Sequence, residues 1–218
     1  MIICPICETT NEFTVKTSKC NLPEWRKQDL IRYQCSNCDV IFGPLDILKE
    51  TTEELKERYI KLYNSGWRET DSTDIELDII SKLNLQSGQN CLNWGGGSLC
   101  TTKQHLNKRG ILLDIYEPFD PFAKNVITNS DNLGIYDAII SNNVIEHLQD
   151  PINEFKLMLK HLKNNGSMIH STPCWDYVYE WTEYHLFFFV GKSISVLSDK
   201  VGLKHHKLSN NYVQFNKI

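Results

Sequence analysis

From Gln89 onward, short apolar runs alternate with helix-prone stretches, and that rhythm leaves few folds open. Strands are expected over 90–94, 111–116, 125–128, 136–141 and 167–171, with helices over 101–108, 152–162 and 192–201. Near-continuous apolar strands separated by helices are buried on both faces, so they build a mostly parallel sheet covered by helices on either side. A polar break at Asn210-Asn211 splits the tail into two short strands, which reads as a closing hairpin. In such a sheet the ligand lies beyond the carboxyl ends of the strands, where the chain reverses its winding direction. The loops that follow the strands therefore carry the functional reading. The first holds Gly95-Gly96-Gly97, the second Glu117 about twenty residues on, and the fourth Asn142-Asn143 and then Glu146-His147. An acidic side chain at the position of Glu117 meets ribose hydroxyls in nucleotide-binding sheets.

The first forty residues obey a different rule. Cys4-Pro-Ile-Cys7 and Cys35-Ser-Asn-Cys38 each aim two thiolates at one point. Together they supply the four soft ligands of a tetrahedral structural Zn²⁺. A segment this short has little core of its own, and metal binding supplies folding free energy directly. A hairpin with strands near 13–15 and 30–33 fills the space between the pairs. A thioredoxin-type redox pair is the alternative, and the lack of a βαβ pattern around either Cys-x-x-Cys counts against it. With all four positions filled by cysteine, no ligand site stays open for a catalytic water, so this metal holds structure. Cys20, Cys91, Cys100 and Cys174 read as small buried hydrophobes. Between the knuckle and the sheet, helices are expected over 50–63, opened by a capping box at Thr51 or Thr52, and over 73–83.

Composition narrows the functions. Over 218 residues, 41% hydrophobic and 23% charged content is that of a globular protein able to bury a sizeable core. A net charge of −4 provides no basic face for nucleic acid. The longest apolar run, 186–190, is far shorter than the roughly 18 residues of a membrane span. No signal peptide is visible, and a cytoplasmic location is expected, where eight cysteines remain thiols or metal ligands.

Four blocks between about 92 and 203 resemble the class I S-adenosylmethionine-dependent methyltransferases. They are Asn93-Trp-Gly-Gly-Gly-Ser, Ile115-Tyr-Glu117-Pro118, the run YDAIISNNVIEHLQDP from Tyr136 to Pro151, and Leu159 to Gly166 with Ser171-Thr-Pro173. The third block is highly specific, whereas the glycine run alone is a weak signal. Tyr184-His-Leu-Phe-Phe-Phe followed by Gly191-Lys-Ser-Ile resembles a subgroup acting on small molecules. Some sugar methyltransferases of that subgroup carry an N-terminal zinc-binding Cys-x-x-Cys pair. The resemblance implies a Rossmann-like, mostly parallel seven-stranded sheet over 89–218, a helical linker or lid over 45–88, and a zinc-ribbon-like knuckle over 1–44. It implies S-adenosylmethionine held by Asn93, Trp94, Gly95, Gly97, Glu117, Asn142 and Asn143. Two positions depart from the family pattern: Asn93 replaces its acidic residue and Leu99 its last glycine. Trp94 offers an aromatic face to a sulfonium, with core packing as the alternative.

Methyl transfer from a sulfonium is a direct displacement that needs alignment, exclusion of water and, for a hydroxyl or carbon acid, a general base. His185 is the first candidate base and His147 the second. An ordinary histidine in that role gives turnover an inflection near pH ~6.5. The plainer readings are a loop-orienting Glu146-His147 pair and a half-buried His185 among aromatics. Three functions are expected to compete: methylation of a small molecule such as a nucleotide-linked sugar or surface-polysaccharide precursor, methylation of RNA held by the zinc finger, and a non-catalytic binding protein on an altered methyltransferase fold. The acidic charge weighs against RNA.

Overall fold

In the computed structural model, which describes residues 2–10, 12–21, 29–67 and 70–218, the elements follow the expected order. The N-terminal part contributes β1 (Phe13–Lys19), β2 (Asp29–Cys35) and β3 (Ile41–Phe42), followed by α1 (Thr52–Asn64) and α2 (Thr73–Ser81). Then come β4 (Asn90–Trp94), α3 (Thr102–Lys108), β5 (Leu112–Tyr116), β6 (Tyr136–Asn142), α4 (Pro151–Lys160) and β7 (Leu162–Ser171). The chain closes with β8 (Phe187–Phe188), α5 (Ser193–Val201), β9 (Leu203–Lys207) and β10 (Tyr212–Lys217). Local chemistry sets the helix ends. The Thr51 hydroxyl accepts from Glu54 N while the Glu54 carboxylate accepts from Thr51 N, a complete capping box opening α1. Asp150 caps α4 ahead of Pro151, whose missing N–H costs nothing in a first turn. Gly202, at φ 74°, ends α5 in the left-handed conformation.

The main sheet has the order β5-β4-β6-β7-β10-β9. Its first three pairings are parallel and its last two antiparallel. Side chains alternate between two layers, as the period of two requires. Leu92, Trp94, Ile139, Met168 and Val213 pack with Phe155, Met158 and Leu197 of α4 and α5. Cys91, Leu113, Ala138, Ile140 and Ile169 pack with Ile79, Ile80 and Leu106 of α2 and α3. Helices therefore cover both faces.

Two expectations change. Over 125–128 only Ile127 joins the sheet, through a single parallel bridge to Tyr116, so the sheet has six strands among the described residues. Asn125 sits at φ 59°, and a left-handed residue cannot extend a strand. The knuckle is also not a separate packing unit. β1, β2 and β3 form a second sheet completed by β8, with Ile41 opposite Phe188 and Phe42 opposite Phe187. One core cluster runs from Cys4, Ile6 and Phe42 through Trp94 to Phe215.

Candidate active site and cysteine knuckle

Between β4 and β6 the winding reverses, and the loops beyond their ends meet there. Gly95 and Gly97 turn the chain at φ 69° and 58°, conformations that suit glycine. A Cβ on Gly95 would lie 2.6 Å from Val144, so the glycine loop rests directly on the segment after β6. Gly96, which spacing did not single out, is equally constrained: its Cβ would stand 2.6 Å from Asn93 Nδ2. Asn93 is buried, and neither its Nδ2 nor its Oδ1 has a hydrogen-bond partner. Trp94 is buried against Tyr116, with ring centroids 4.6 Å apart, and belongs to the core cluster.

Glu117 lies at the end of β5 and is buried. Its Oε2 accepts from Gly97 N at 3.2 Å, and its Oε1 from Phe119 N and Asp120 N at 3.0 and 3.1 Å. Burial pushes its carboxyl above the usual range, against these three amides, which favour the charged form. The carboxylate thus fastens the glycine loop to the loop after β5. Asn142 is half-buried at the end of β6, and exposed Asn143 adopts φ 53° with its N–H donating to Ser171 O.

The structure brings Glu146, His147 and His185 together, with one potential ligand atom of each lying within 4.8 Å of the others. Leu186 N donates to Glu146 O at 2.8 Å, which pins the two segments side by side. His147 Nδ1 lies 2.8 Å from Tyr184 O, and the two imidazole centroids are 5.0 Å apart. Burial pushes His147 down to about 4 and, with help from the charges of His147 and Arg32, His185 to about 2. Both rings are neutral at neutral pH, so the inflection near pH ~6.5 expected of a histidine base is displaced well to the acid side. Burial also pushes the Glu146 carboxyl up to about 7.

Sequence reasoning missed the side chain that holds the His185 loop. Arg32, fully buried on β2, donates to Glu180 O at 2.8 Å, Thr182 O at 2.7 Å and His185 O at 3.1 and 3.2 Å. Arg58 of α1 adds an ion pair to Glu183 at 2.9 Å. Neither contact had a signal, because a basic residue on an alternating strand or on a polar helix reads as solvent-facing.

A family model described as a methyltransferase domain matches residues 67–206, well over half of the chain. The chain belongs to this family. It is an S-adenosylmethionine-dependent methyltransferase, with the Rossmann-like α/β sheet of that class. Solved structures are similar at low identity. A TehB-like SAM-dependent methyltransferase from Corynebacterium glutamicum is 16% identical, with 81% of this chain and 100% of that one covered and a TM-score of 0.47. Mitomycin 7-O-methyltransferase MmcR is 10% identical, with coverages of 80% and 60% and a TM-score of 0.50. LaPhzM is 9% identical, with coverages of 67% and 55% and a TM-score of 0.52. At such identities the likeness to the last two speaks for the fold alone. No curated protein matches the chain.

In this methyltransferase the cysteines converge as their spacing requires. Cys4 Sγ lies 3.6 Å from Cys38 Sγ, Cys7 Sγ lies 3.6 Å from Cys35 Sγ, and all four sulfurs fall within 4.8 Å of one another. The two turns are built alike. Glu8 N donates to Cys4 O and Asp39 N to Cys35 O, and Glu8 and Asp39 sit at φ 60° and 67°. Asp39 also accepts from Lys192 N at 3.0 Å, which docks the second turn on the start of α5. Cys91 and Cys174 are buried as expected, whereas Cys20 and Cys100 are only partly so. Among the described residues no helix is long and apolar enough to cross a membrane.

Proposed function

We propose that the protein transfers the methyl group of S-adenosylmethionine to a small, hydroxylated acceptor of the sugar type, such as a nucleotide-linked sugar or a surface-polysaccharide precursor. The observation that carries the cofactor side is the loop at the winding reversal: three glycines without room for a Cβ at Gly95 or Gly96, over a buried Asn93 with no partner. A buried amide left unbonded costs about 1–3 kcal/mol, and a ligand that bonds it recovers that cost. Gly95 and Gly97 give backbone access to the cofactor, Asn93 and Glu117 supply its polar contacts, and Asn142 and Asn143 border it. Trp94 backs the loop. Glu117 retains lone pairs for ribose hydroxyls while its amide contacts hold it in place.

On the acceptor side, Tyr179 and Trp181 are 50% and 36% exposed; the Tyr179 ring stands beside His185, centroids 6.5 Å apart, and Trp181 beside Tyr179 at 6.3 Å. Exposed rings of this kind suit stacking against a sugar face. In this reading His185 and His147 face the acceptor. The cysteine cluster supports structural zinc, because a tetrahedron of thiolates at about 2.3 Å from the metal has sulfurs about 3.8 Å apart. A reducing cytosol suits such a site.

Calorimetric titration with S-adenosylmethionine and its demethylated product tests the cofactor reading, and absence of binding to either would overturn it. Trp181→Ala should raise KM for a sugar-nucleotide acceptor by about tenfold with cofactor affinity unchanged. An unchanged KM would remove stacking from the acceptor reading.

A further inference from the structure

We infer that Glu146, His147 and His185 form a second metal site, one that takes a divalent first-row transition ion on the acceptor side of the cofactor. The inference rests on the reading of this region as the acceptor side, and it assigns these side chains a further task.

The case begins with Glu146. It is fully buried, and neither carboxylate oxygen makes a hydrogen bond of good geometry, the Thr172 hydroxyl and its own N–H being the donors that approach it. Other buried carboxylates are satisfied within the fold: Glu117 by three amides, and Glu76 by the hydroxyls of Ser72 and Thr102. An uncompensated buried carboxylate is costly, and structures keep one only where a cation or donor meets it.

The neighbours of Glu146 are metal-ligand types. The Tyr184 carbonyl beside His147 Nδ1 can only accept, so Nδ1 carries the proton and Nε2 keeps a free lone pair. A histidine whose far nitrogen is fixed by a backbone carbonyl is the usual arrangement at a metal. With one donor atom from each of the three side chains within 4.8 Å of the others, bonds of about 2.0–2.2 Å need only small side-chain rotations to close. Two imidazoles and one carboxylate suit Zn²⁺, Fe²⁺, Co²⁺ or Mn²⁺ rather than Ca²⁺, which prefers oxygen alone.

Three protein ligands leave coordination positions open. An acceptor hydroxyl bound there becomes more acidic, as metal-bound water does. It releases its proton to water, and its oxygen forms a C–O bond to the methyl carbon as the C–S bond breaks. The products are a methyl ether and a thioether, with no redox change. The site lies near the cofactor loop because Val144, two residues before Glu146, packs on Gly95.

Cobalt separates this site from the cysteine knuckle by thiolate-to-metal charge transfer, since Cys174 Sγ, 3.5 Å from His185 Nδ1, lies outside the group of three ligand atoms. Purified wild-type protein dialysed against excess Co²⁺ should hold one equivalent more than Glu146→Gln or His147→Ala, with the thiolate band equal in all three. In the wild type alone, the His147 Nδ1 proton should give a hyperfine-shifted NMR signal. Equal cobalt content in wild type and variants, or no shifted imidazole proton, would overturn the inference. S-adenosylmethionine titration of the same wild-type sample keeps the two readings apart. Cofactor binding without the extra cobalt sinks the metal site only, whereas no cofactor binding sinks the proposed function whatever the metal count.

Discussion

Glu117 shows how far a single side chain can be read in advance. Its position about twenty residues beyond the glycines marked it as a ribose contact. The structure adds that it accepts three amide hydrogen bonds from two loops. Bonds to a charged acceptor contribute about 1.5–3 kcal/mol each, so Glu117→Ala should act twice. It should weaken S-adenosylmethionine binding by well over tenfold and also lower the melting temperature by several degrees. Calorimetric titration paired with thermal unfolding checks this. Lost affinity with an unchanged melting temperature would mean the amide contacts contribute nothing to the fold. Gly96→Ala is the companion prediction: a Cβ 2.6 Å from Asn93 Nδ2 must displace that amide, so binding should fall by about tenfold or more while the sheet remains intact. Spacing drew attention to Gly95 and Gly97. It missed Gly96 because the clash there comes from a side chain three residues earlier, a relation that exists only after folding.

Elements were legible where they carried a period and illegible where they did not. β4 matches its expected span, and β5, β6, α4 and the closing hairpin lie within a few residues of theirs, because apolar alternation and capping residues are local signals. β8 has two residues, too few for any period, and it forms only because Ile41 and Phe42 lie opposite it. The run over 186–190 therefore read as an apolar stretch with no partner. The loop preceding it depends on Arg32, whose guanidinium serves three carbonyls of 180–185. Arg32→Met keeps much of the buried volume and removes the donors, leaving those carbonyls without partners at a cost of about 2–4 kcal/mol. Because the loop carries His185, Trp181 and Tyr184, acceptor turnover should fall far more than S-adenosylmethionine affinity. Comparing kcat and KM for the acceptor with cofactor Kd decides it, and equal losses on both sides would mean that Arg32 supports the fold without positioning the loop.

At the scale of the whole molecule, the cysteine knuckle and the methyltransferase sheet share one hydrophobic core. Read from sequence, the knuckle at the N-terminus and the strands after Gln89 were two units. Chain order hid their union, since Ile41 and Phe188 lie far apart in sequence and adjacent in the second sheet. The contacts are distributed: Asp39 meets the start of α5, Arg32 meets the aromatic loop, and Cys4, Cys35 and Cys38 pack in the same cluster as Phe155 and Phe187. Cooperative unfolding follows from such continuity, because neither part can expose its side of the shared core alone. Stripping the zinc proposed for the knuckle with a strong chelator, or replacing Cys35 by Ser, should give one calorimetric transition at a melting temperature lower by about 10 °C or more. Two separated transitions, the later one at the untreated temperature, would show instead that the sheet folds without its knuckle. The same samples carry a functional consequence. As the knuckle loosens, the grip of β2 on the His185 loop weakens, so acceptor turnover should fall at temperatures where the sheet still binds S-adenosylmethionine.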